Sequence, residues 1–90
     1  MASYVVTYDL NLPGQNYSDL IEHLESYPNH WHFQKSAWIV GPAENAFDVA
    51  NAAMQFLDAK DVLFVQALTD DSAWWGYDKA GAGWIAERVE

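Results

Sequence analysis

Ninety residues carrying 4 Lys+Arg against 13 Asp+Glu make a chain of formal net charge −9 that is 51% hydrophobic and 16% aromatic. One small domain fits that length, and the aromatic content argues against disorder despite the charge. With no cysteine there is no disulfide framework, no thiolate nucleophile and no Cys-based metal site.

The charge bears most on partners. Affinity for DNA or RNA comes largely from Lys and Arg set against phosphates. Here the only strong cations, Lys35, Lys60, Lys79 and Arg88, are scattered one per stretch among the carboxylates. Direct nucleic-acid binding is therefore disfavoured, and basic protein surfaces are the more natural partners. Apolar runs are only a few residues long, far short of the ~20 needed to cross a bilayer. Met1-Ala2-Ser3-Tyr4 holds no basic side chain and leads straight into a strand-like run, so it does not read as a secretory signal, and a cytoplasmic domain with no membrane contact is expected. A chain this short buries only about 60–65% of its unfolded surface, so a dense core or an oligomeric partner is expected too.

In chain order, residues 3–10 (Ser-Tyr-Val-Val-Thr-Tyr-Asp-Leu) are β-branched and aromatic and predict a strand, with Tyr4, Val6, Tyr8 and Leu10 on one face. Pro13-Gly14 predicts a type II turn. A helix follows, capped by Asn16 or Ser18, with Tyr17, Leu20, Ile21, Leu24 and Tyr27 at helical spacing. Residues 30–40 are again extended, split by Gln34-Lys35-Ser36 into one bent strand or two strands joined tightly. Gly41-Pro42 ends them. Residues 43–58 predict an amphipathic helix burying Phe47, Ala50, Ala53, Met54 and Leu57. Residues 62–69 are apolar on both faces, which suits an interior strand or one buried by a partner.

Helices alternating with strands at these spacings predict an α+β domain, a ferredoxin-like βαββαβ sandwich with an antiparallel sheet and two helices on one face. The whole chain, 1–90, reads as one domain, with a core over about residues 3–69 and a Trp-rich C-terminal extension over about residues 70–90. A flavodoxin-like sheet fits less well, since only two clear helices precede residue 70.

Among candidate sites, Asp9 is the sharpest: a carboxylate ending a buried first strand can bind a divalent cation or orient water. The bland role for it is to accept amides in the following turn. His30 and His32 sit two apart on a strand and could begin a zinc site with His23, although two solvent-facing imidazoles beside a packed Trp is the plainer reading. No G-x-S-x-G, G-x-G-x-x-G or phosphate-loop motif occurs, so serine-nucleophile and nucleotide chemistry have no support. Gly81-Ala82-Gly83 reads as a hinge before a last helical turn. The extension holds three of the five Trp, and Trp74, Trp75, Tyr77 and Trp84 ringed by Asp70, Asp71 and Asp78 make a candidate interaction surface. Self-packing of this tail on its own sheet or in a homodimer is the competing expectation. A small-ligand cleft walled by Tyr8, Trp31, Trp38 and Trp74 is a further alternative.

Tyr4-Val5-Val6-Thr7-Tyr8-Asp9-Leu10, the turn and helix after it, Gln34-Lys35-Ser36-Ala37-Trp38-Ile39-Val40, the second helix and Val62-Leu63-Phe64-Val65 together resemble the small CRISPR-associated adaptation-nuclease family and its VapD-like and phage-borne relatives. The resemblance covers residues 3–69 and leaves the Trp-rich tail outside. It implies a ferredoxin-like homodimer and, for nuclease members, a role for Asp9 with Mg²⁺ or Mn²⁺ across the dimer axis. It also implies a basic nucleic-acid surface, from which this acidic chain departs. The expectation is therefore a non-enzymatic, phage-borne type of inhibitor that needs no cofactor and occupies a basic protein surface as a nucleic-acid mimic. A metal-dependent endonuclease using Asp9 is the alternative.

Overall fold

The computed structural model describes residues 2–11 and 17–89. The predicted Pro13-Gly14 turn and the Asn16 cap lie outside the described residues. The elements run β1 (Ala2–Asp9), α1 (Ser18–Glu25), β2 (Asn29–Gln34), β3 (Ala37–Ala43), α2 (Ala46–Met54), β4 (Val62–Ala67) and α3 (Lys79–Ala86). The four strands form one antiparallel sheet in the order β2-β3-β1-β4. This is a small α+β domain, compatible with the expected ferredoxin-like plan and carrying a third helix beyond it.

Alternation in β1 decides the layering. Tyr4, Val6 and Tyr8 enter one core with Trp38 and Val40 of β3, Leu20 and Leu24 of α1, and Val49 and Ala53 of α2. Val5 turns to the other face, where Ile39, Leu68 and Ile85 are buried beneath α3 and the tail. Two helices thus cover one side of the sheet, and the C-terminal extension covers part of the other.

Of the two expectations for residues 30–40, the pair of tightly joined strands holds: Gln34 pairs with Ala37, so Lys35-Ser36 is a two-residue turn between β2 and β3. Three local expectations need correction. The α1 N-cap position is held by Tyr17, whose hydroxyl bonds Asp61 (2.8 Å), and Ser18 is already helical. In α2 the buried residues are Val49 and Ala53, while Phe47 is 74% exposed and Met54 59% exposed. Apolar residues surround this Ala-rich helix almost completely, so periodicity alone does not select the face that meets the sheet. Finally, β4 is an outer strand, not an interior one, and leaves Val62 and Phe64 exposed.

Glycine is needed at one place in the sheet. A Cβ on Gly41 would lie 2.9 Å from the Cα of Ser3, where the β1–β3 register shifts between Ala2 and Tyr4. The backbones approach too closely there for any side chain.

Candidate functional site

The tail crosses the open sheet face as a series of anchored aromatics. Tyr77 accepts a hydrogen bond from Gln34 Nε2 at 3.1 Å and packs on Trp31, ring centroids 5.2 Å apart. Asp78 caps α3 by accepting from the Gly81 amide at 2.7 Å. Trp84 meets Trp31 edge-on at 5.5 Å, and the Arg88 guanidinium lies 4.0 Å from the Trp84 ring while bonding Asn29 Oδ1. Three of the predicted interaction residues, Tyr77, Asp78 and Trp84, therefore make contacts within the chain. Trp74, Trp75, Asp70 and Asp71 remain exposed, Trp75 at 95%.

Between tail and sheet lies a cavity of about 450 Å³. Its base is the buried trio Ile39, Leu68 and Ile85 together with Val5. Phe33, Trp74, Trp75 and Tyr77 supply aromatic surface, and Gln34, Gln66 and Asp71 supply polar groups. Among the described residues Asp71 is the only charged one lining it. Sequence reasoning missed Phe33, Gln34 and Gln66, which belong to strands at opposite edges of the sheet. The two apolar faces of residues 62–69 are the one sequence signal that pointed this way. The ligand cleft imagined between Tyr8, Trp31, Trp38 and Trp74 does not form, because Tyr8 and Trp38 belong to the opposite core from Trp31.

No protein-family model, curated protein or solved structure matches this chain.

Asp9 is exposed at the end of β1, opposite Val62, and lines an open depression with Gln34, Lys35 and Ser36. Residues 8–9 and 34–37 thus lie side by side around this depression. Among the described residues no group of three or more His, Cys, Asp or Glu side chains is placed to hold a metal ion. The three histidines do not converge either. His30 Nδ1 donates to the Tyr27 carbonyl at 2.9 Å, and His32 Nε2 donates to the Lys35 carbonyl at 3.0 Å with its ring stacked on Trp38.

His23 lies within α1, between Tyr27 and Phe56, and its buried Nε2 has no hydrogen-bond partner. Burial pushes its pKa below the ordinary value of 6.5. The unfolded chain then binds a proton that the folded chain resists, so this contribution to stability is full above pH 6.5 and is lost as pH falls toward the lowered folded value. Thermal melts from about pH 7.5 to 5 should show Tm falling, and His23→Leu should flatten that slope. An equal slope in the variant would assign the effect to other groups.

Asp61 acts in a lower pH window. Burial opposes its ionisation most strongly of any single influence, yet the amides of Asp58 and Asn11 and the Tyr17 hydroxyl together outweigh it. They hold its carboxyl below the ordinary range, and the carboxylate joins the end of β1, the start of α1 and the loop before β4. Its contribution is present above the ordinary carboxyl pKa and is lost as pH falls through the depressed one.

Among the described residues no helix is long and apolar enough to cross a membrane.

Proposed function

We propose that this chain is a non-enzymatic protein-interaction module: a ferredoxin-like βαββαβ domain that dimerises and presents an apolar, acidic face to a basic protein, in the manner of an inhibitor of a nuclease or CRISPR defence protein. The observation that carries this reading is the bare face itself. Phe64 (59% exposed) and Gln66 alternate onto the cavity side of β4, Trp74 and Trp75 continue that side, and Asp70 and Asp71 flank them in a chain of net charge −9. Monomeric proteins rarely leave such apolar area uncovered, and carboxylates beside aromatic anchors select a cationic partner. Dimerisation has its own support: β4 is an outer strand, and outer strands with exposed apolar side chains pair readily with a second copy.

The test is binding to a panel of purified CRISPR effectors and nucleases at low and high salt, with sedimentation to report oligomeric state. At least one panel member should bind, with affinity falling steeply as salt rises, and Phe64→Glu should yield monomers. Absence of binding across the panel at low salt, by folded protein, would overturn the proposal. So would cleavage of RNA or DNA that requires Mg²⁺ or Mn²⁺ and disappears in Asp9→Ala, which would install the nuclease reading in its place.

A further inference from the structure

The cavity beside Trp74 differs in its lining from a general acidic surface. Aromatic side chains from β2 (Phe33) and from the tail (Trp74, Tyr77) share it with one carboxylate, Asp71, while Trp75, 95% exposed, stands at its rim; among the described residues no Lys, Arg or His lines it. Aromatic faces carry negative quadrupole potential and attract cations, more strongly where water is excluded. A carboxylate at the same site supplies charge-assisted hydrogen bonds. The apolar base of Ile39, Leu68 and Ile85 would accept the methylene stem of a long cationic side chain. At about 450 Å³ the space fits within the range of small-ligand sites and admits one such side chain with the backbone beside it.

Granted the proposed role as a partner of basic proteins, on which this assignment rests, we infer that the cavity is a receptor for an arginine side chain of the partner. Arginine fits better than lysine because its planar, weakly hydrated guanidinium stacks on rings while its N–H fork meets a carboxylate. The chain already makes this contact internally, with the Arg88 guanidinium over Trp84 on the same side of the sheet. Gln34 and Gln66 add amide oxygens able to accept from the remaining N–H groups.

The experiment uses a fluorescein-labelled Gly/Ser peptide bearing several arginines, with lysine and citrulline versions of the same peptide. Binding is followed by anisotropy and by the indole N–H resonances of the protein. The arginine peptide should bind about tenfold tighter than its neutral citrulline counterpart, and Trp75→Ala and Asp71→Asn should each weaken it about fivefold. Both variants alter exposed residues, so their circular dichroism should match the parent. The Trp74 and Trp75 indole resonances should shift, and that of Trp38, in the opposite core, should not. Equal binding by both variants without those shifts would overturn the cavity assignment while leaving a basic partner in place. A lysine peptide producing the same shifts at equal affinity would overturn the arginine selectivity. Failure of the arginine peptide to bind, while a member of the protein panel still does, would overturn this assignment alone; failure of both would overturn the proposed function with it.

Discussion

Trp38→Ala should remove most of the stability of this domain. Trp38 is 2% exposed, pairs with Val6 across the centre of the sheet and belongs to the core that joins β1 and β3 to α1 and α2. Truncating a buried Trp costs about 3–5 kcal/mol through lost transfer energy and the cavity left behind, and native domains hold only about 5–15 kcal/mol in all. Two further contacts go with the ring: the stack on His32, 4.4 Å between centroids, and the buried hydrogen bond from Trp38 Nε1 to the Tyr8 hydroxyl at 3.1 Å. Urea denaturation of Trp38→Phe separates these contributions. That variant keeps most of the ring volume and should lose about 1–3 kcal/mol, chiefly because the Tyr8 hydroxyl is left without its donor. Adding Tyr8→Phe should recover part of the loss, since replacing both partners costs less than orphaning one. A double variant less stable than the sum of the singles would show that packing, not the hydrogen bond, governs the site. Trp38→Phe should bind the arginine peptide as the parent does, because the cavity lies across the sheet.

How much of this was legible in sequence follows from how far each feature depends on neighbours distant in the chain. The core face of β1 was readable because alternation has a fixed period and Tyr4, Val6 and Tyr8 obey it. The burial of Phe47 and Met54 was misread because α2 is apolar nearly all round; contact with the sheet, not helix periodicity, puts Val49 and Ala53 inside. The bare side of β4 was half legible. Its doubly apolar pattern asked for cover on both faces, but only the folded sheet turns Leu63 and Val65 toward α1 and α2 and leaves Phe64 exposed on the other side. The cavity was legible only as an uncovered face and a tail expected to pack on its own sheet; its lining was not, because Gln34, Gln66 and Trp74 meet only after the sheet has formed and the tail has returned over it. The third helix was hidden for a chemical reason: two glycines in eight residues read as a hinge, since glycine costs about 1 kcal/mol against alanine inside a helix.

Those two glycines should respond in opposite directions to substitution, and the difference tests how the tail is held. Gly81 and Gly83 lie two residues apart within α3, so they point to different sides of it. A Cβ on Gly83 would meet nothing within 4 Å. Gly83→Ala should accordingly stabilise the domain by about 0.5–1 kcal/mol through reduced freedom of the unfolded chain and better helix propensity. A Cβ on Gly81 would stand 2.9 Å from the Cη2 of Trp31, a rigid ring already packed against Tyr77 and Trp84 and unable to swing aside cheaply. Glycine is there because β2 and α3 touch at that point. Gly81→Leu should force α3 away from the sheet at a cost of about 3 kcal/mol. Lifting α3 also withdraws Ile85 from the base of the cavity and opens the Trp84–Arg88 stack. The variant should therefore lose both stability and arginine-peptide binding, whereas Gly83→Ala should gain the first and keep the second. Melting curves and peptide anisotropy on the two variants decide it. If Gly81→Leu melted and bound like the parent, α3 would not be seated on Trp31, and the cavity would lose the element that closes it.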